Sequence, residues 1–111
     1  MIDVNAPDFR DFCESTASHL EIVSQVTNGK IRGLDKLALN TLSQRKRLPA
    51  VVVNVLLVYF FNTFKNKVYD RKDLARVYDH WANKGVQTFS QAIGMTQVDI
   101  HEILQKKAPS S

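Results

Sequence analysis

Six cations and one tryptophan in the middle of this chain have types and spacing that suit a chemical task. Arg45, Lys46 and Arg47 stand in a row, and Lys72, Arg76 and Lys84 surround Trp81. Guanidinium and ammonium groups neutralise phosphates and release their condensed counterions, so such a set suits a polyanion held with little regard to its sequence. An exposed indole would add stacking on unpaired bases, at about 1–3 kcal/mol per base. Both features also have plainer readings. The triplet reads equally as solvated cations at the negative end of a helix dipole, and Trp81 shares its spacing with Leu74 and Val77, as a core residue would.

The charge distribution sharpens the first reading. Residues 30–84 carry twelve Lys/Arg against Asp35, Asp70, Asp73 and Asp79, a net of +8, whereas residues 1–29 carry a net of −4 and the remainder is neutral. A basic middle beside an acidic flank is the electrostatic footprint of a nucleic-acid binder. Catalytic constellations are missing from the sequence. It has no glycine-rich phosphate loop, no GxSxG, no HExxH and no paired cysteines. His19, His80 and His101 stand singly, and the lone Cys13 has no Cys or His at metal-ligand spacing. The expectation is a protein that is not an enzyme, with no catalytic or metal site, cofactor or small-molecule substrate.

The elements that must position these residues are helical. A chain of 111 residues with only four Gly and three Pro suits one α-helical domain better than a loop-rich β-sandwich. Pro7 can open a helix carrying Phe9, Phe12 and Cys13. A second, starting at Thr16 or Ser18, carries Leu20, Ile22, Val23 and Val26 and ends at Asn28-Gly29. A third runs from about Leu34 to Arg47 with Leu34, Leu37, Ala38 and Leu42 near one face, so that the basic triplet forms its last turn. Pro49 marks a new start. Ala50–Phe64 begins with Val51-Val52-Val53, which favours a strand by propensity, but its length favours a helix. Being apolar nearly all round, it reads as the central helix of a core. Its apolar run is too short for a bilayer. Asp70 and Asp73 form a cap for a helix whose stripe is Leu74, Val77, Tyr78 and Trp81, with Arg71, Lys72, Arg76, Asp79, Asn83 and Lys84 opposite and Gly85 as its stop. A last segment starts near Thr88, breaks at Gly94 and restarts at Thr96–Asp99. The expected architecture is an all-α, compact single-domain bundle of about five to six helices over residues 1–107, followed by a polar tail at 108–111.

Within Leu48–Ile93 the order of features resembles a known family. The stretch LPAVVVNVLLVYF is similar to the leucine-rich helix of the DnaD-like domain found in Gram-positive primosome proteins, and DLARVYDHWANKGVQTFSQAI is similar to that family's pattern of an aliphatic residue, Trp, Val-x-Thr and an Ala-hydrophobic pair, here Val77, Trp81, Val86, Thr88, Ala92 and Ile93. The nearer likeness is to the domain in the C-terminal part of the DnaB-type helicase loader, the replication initiation and membrane attachment protein. One departure stands out: the family's tyrosine eight residues before the tryptophan is Asp73 here, with Tyr69 and Tyr78 nearby.

The resemblance implies a DNA-binding and oligomerisation module of a primosomal protein that helps load the replicative helicase during replication initiation or restart. Its DNA-binding residues would be Arg45, Lys46, Arg47, Lys72, Arg76, Val77, Trp81 and Lys84. Its partners would be single- or double-stranded DNA without strong sequence preference, the replicative helicase, other primosome proteins and further copies of itself. The expected location is the cytoplasm, at the membrane periphery through a longer protein of which this chain is a piece. The alternative is a primosomal protein-interaction module that does not itself bind DNA and offers Ile100, Ile103 and Leu104 as its handle.

Overall fold

Ala50–Phe64 forms one α-helix, and every side chain from Val52 to Phe61 is buried. The valine-rich start does not become a strand, because a helix lets all sides of an apolar segment be covered by other helices. The computed structural model describes residues 6–15, 19–42, 45–64, 67–70 and 72–105, and the described residues contain seven helices and no strand. They are α1 (Phe9–Ser15), α2 (His19–Thr27), α3 (Gly33–Leu42), α4 (Ala50–Phe64), α5 (Asp73–Asn83), α6 (Phe89–Met95) and α7 (Ile100–Gln105). The Cα radius of gyration of 13.0 Å matches the about 13 Å expected of a compact domain near this length. Thr16, Ser18, Arg71 and the 108–111 tail lie outside the described residues. None of the described helices is long and apolar enough to cross a membrane.

The central α4 touches α1, α2, α5 and α6, while α3 and α7 both lie against α5. Asn54, which interrupts the apolar run from Ala50 to Phe61 within α4, is buried and turned to use. Its Nδ2 donates to the Cys13 carbonyl (2.8 Å), and its Oδ1 lies 2.8 Å from His19 Nδ1. Asn54 thus satisfies an orphan carbonyl at the end of α1 and meets the first residue of α2.

Arg32 and Asp35 perform a similar service at the opposite end of α4. The fully buried Asp35 carboxylate accepts from Arg32 Nη2 (3.1 Å), from the Arg32 backbone (3.0 Å) and from Tyr69 Oη (2.6 Å). Arg32 also donates to the carbonyls of Phe64 (2.8 Å) and Lys67 (2.6 Å), where the negative end of the α4 dipole favours a cation. Burial and the hydrogen bond to Asp35 push the Tyr69 phenol well above its ordinary pKa.

Two boundaries, one helix face and one cap differ from expectation. Helix α3 stops at Leu42, so Arg45–Arg47 lie beyond it and are not its last turn. Leu37 is half exposed and does not share the buried face of Ala38 and Leu42. Gly94 lies within α6, and the break comes after Met95. The expected start near Thr88 and the stops at Asn28-Gly29 and Gly85 hold. Thr88 and Gln91 form a reciprocal capping box at the start of α6. Asn28, Gly29 and Gly85 take the positive φ angles (56°, 80° and 73°) that end α2 and α5. The expected Asp70 cap falls ahead of α5: the N-cap is Lys72, with no side-chain cap bond, while Asp70 Oδ1 accepts from the Lys72 backbone (2.8 Å) and Asp73 Oδ2 from the Asp70 backbone (3.1 Å).

Candidate nucleic-acid interface

The segment Arg45–Leu48 is irregular, and its position is set by a residue thirty positions away. Tyr78, buried on the inner face of α5, accepts hydrogen bonds at its Oη from the backbone N–H groups of Arg47 (2.8 Å) and Leu48 (2.9 Å). Those donors need partners once the helix has ended, and the phenol supplies one acceptor for both. The segment is thereby fastened along the C-terminal half of α5.

Its side chains then divide. Arg45 forks onto the Asp79 carboxylate (3.1 and 3.5 Å) and donates to the Thr41 carbonyl (3.0 Å) at the end of α3. Arg47 reaches Asn83 Oδ1 (2.8 Å), and Gln87 Nε2 reaches the Arg47 carbonyl (3.4 Å). Lys84, next in sequence to Asn83, caps α5 and is exposed. Lys46 is exposed and lines a cleft with Lys36 of α3. Further back on α5, Lys72 is exposed, whereas Arg76 is held by Asp73 at 2.7 Å. The rise of a helix puts Arg76 about 12 Å along the axis from Lys84.

The six candidate cations therefore do not act alike. Arg45 and Arg76 are each offset by a carboxylate, so their fields at a distance are largely cancelled. Lys46, Arg47, Lys72 and Lys84 make no ion pair among the described residues. Of these, Lys46 and Arg47 adjoin in the pinned segment, and Arg47 is tied to the neighbour of Lys84. Lys72 lies at the far end of α5.

The two apolar candidates leave the interface. Val77 and Trp81 both have 0% exposure. Trp81 lies stacked on Tyr59 of α4, ring centroids 5.7 Å apart, so the α4–α5 contact occupies the face that a base would need. Its Nε1 finds no acceptor among the described residues, a cost that the packing of the ring must offset. The physical reason lies in its stripe. Leu74, Val77, Tyr78 and Trp81 recur at core spacing, and all are buried. Ile100 and Ile103 are likewise buried, α7 being packed against α5, so they offer no handle to a partner.

Sequence reasoning also missed several members of this surface. Asp79 was legible as a charge on the outer face of α5, but its pairing with Arg45 spans thirty-four positions. Asn83 and Gln87 had no motif to mark them. Among the described residues, no group of three or more His, Cys, Asp or Glu side chains is arranged to hold a metal. Compared with models of protein families, with curated proteins and with solved structures, the chain matches none.

Proposed function

We propose that this chain is a DNA-binding and self-associating module of a primosomal protein, one that helps deliver the replicative helicase when DNA replication starts or restarts. The observation that carries the DNA part is the pinned segment: Tyr78 fastens Arg45–Leu48 to α5, Arg47 reaches Asn83 beside Lys84, and neither these two cations nor the adjoining Lys46 makes an ion pair among the described residues. The primosomal setting, the helicase and the link to the membrane periphery rest on the resemblance of residues 48–93 to DnaD-like domains.

On this reading the protein contacts the phosphate backbone of single- or double-stranded DNA and reads no bases. Lysine and arginine supply point charges and forks to phosphates, and Asn83 and Gln87 are polar neighbours able to add neutral hydrogen bonds. Stacking by Trp81 plays no part.

The test is fluorescence anisotropy with labelled single-stranded and duplex oligonucleotides at low salt, comparing the native chain with Lys46→Glu, Arg47→Glu, Lys84→Glu combined. The combined variant should bind at least about tenfold more weakly, as loss of several phosphate contacts requires, with unchanged helical circular dichroism. Equal affinity for both proteins would remove this surface from DNA binding.

A further inference from the structure

We infer that the cleft between α2, α3 and α5 is a docking site for an acidic peptide segment bearing bulky aliphatic or aromatic side chains. The cleft measures about 560 Å³ and has α4 beneath it. Its apolar lining comes from Leu20, Leu39, Leu42, Val53 and the ring of Tyr78, and its polar lining includes Lys36 and Lys46. This volume falls within the range of sites that enclose a ligand group, about 300–1,000 Å³.

Three observations choose the occupant. Leu20 is 47% exposed although it belongs to a helix whose other apolar residues are sealed, so the cleft leaves apolar surface open to water. Lys36 and Lys46 are exposed and make no ion pair among the described residues, so two positive charges stand beside that surface unopposed. The other lining cation, Arg45, is already bound to Asp79 and Thr41, which holds its part of the wall in place. Apolar lining beside unopposed ammonium groups complements a chain in which carboxylates alternate with leucine- or phenylalanine-like side chains. A nucleic-acid strand would meet the charges but leave the apolar lining wet. The cleft shares Lys46 with the proposed DNA surface, but Leu20, Lys36 and Leu39 belong to the cleft alone and Arg47 and Lys84 do not line it.

The experiment uses the full chain and a short fluorescein-labelled peptide with two leucines among aspartates, read by anisotropy, beside an oligo-glutamate peptide without leucine. The leucine-containing peptide should bind and oligo-glutamate should bind at least about tenfold more weakly, the scale on which loss of an anchoring side chain is read. Lys36→Glu and Leu20→Gln, both at exposed positions and so expected to fold, should each weaken the leucine-containing peptide while leaving oligonucleotide binding within about twofold. Equal binding of the two peptides, no binding by the native chain, or indifference to both variants would overturn the inference. Arg47→Glu with Lys84→Glu, which leaves the cleft lining intact, should weaken oligonucleotide binding and not peptide binding, so the two readings fail or survive separately.

Discussion

Removing Arg32 should destabilise the fold more than removing Asp35, although the two form one ion pair. The Asp35 side chain is 0% exposed, whereas that of Arg32 is 34% exposed. In Arg32→Ala the carboxylate stays sealed with the residue-32 backbone N–H and Tyr69 Oη but no cation, and the Phe64 and Lys67 carbonyls lose their donor. Leaving a buried charge unpaired costs about 3–5 kcal/mol. In Asp35→Ala the guanidinium keeps both carbonyls and meets water over a third of its surface, so the loss is that of hydrogen bonds and a little packing, about 1–3 kcal/mol after screening is allowed for. The double variant should lose less than the sum of the single losses, with a coupling of about 1–3 kcal/mol. Urea unfolding followed by Trp81 fluorescence measures all three, since this is the sole tryptophan and it is buried. If Asp35→Ala proved as harmful as Arg32→Ala, the asymmetry of burial would not govern this pair and the reasoning would fail.

Other outcomes follow from the same contacts. Asp79→Asn should free the Arg45 charge and tighten oligonucleotide binding, steepening the salt dependence by about 0.7–0.9 in log–log slope; an unchanged slope in an anisotropy titration would show that Arg45 does not face the phosphates. Arg76→Gln should weaken binding less than Arg47→Gln, because Asp73 already offsets Arg76. Trp81 emission should be blue-shifted and should stay unquenched as oligonucleotide is added, whereas quenching would place the indole at the interface. Burial, with a smaller push from Glu14, raises the Cys13 thiol from 9.0 to about 12, and burial raises the Tyr59 and Tyr69 phenols above 10.0. These groups hold their protons more tightly folded than unfolded, so their contribution is complete below pH 9 and declines as pH rises past 9 to 10. Urea midpoints measured from neutral pH upward should fall there, and less steeply in Cys13→Ala. Native protein should also resist thiol alkylation until it unfolds.

Much of the helical content was readable because local rules sufficed for it. Ala50–Phe64 starts with valines that suit a strand, but its length and all-round apolar character favour a central helix. Leu74, Val77, Tyr78 and Trp81 recur at helical spacing, and Thr88 marks a start. The basic triplet was misread because cations after an apolar-periodic stretch fit a last helical turn, while the partner that keeps Arg47 and Leu48 out of a helix is Tyr78, a residue no nearby pattern indicates. Trp81 stood open to two readings, since one residue on a stripe can lie at its buried centre or at its edge, and only the position of Tyr59 decides.

Periodicity, caps and the crowding of positive charge between residues 30 and 84 determined that this chain makes helices around α4 and carries a basic surface. Those are properties of a chain and its near neighbours. Which cations remain unopposed was decided by tertiary structure, because Arg45 meets Asp79 only once α3 and α5 lie side by side, and the cleft between Leu20 and Lys46 exists only when four helices assemble. Coulomb energy depends on distance through space, and distance along the sequence says little about it.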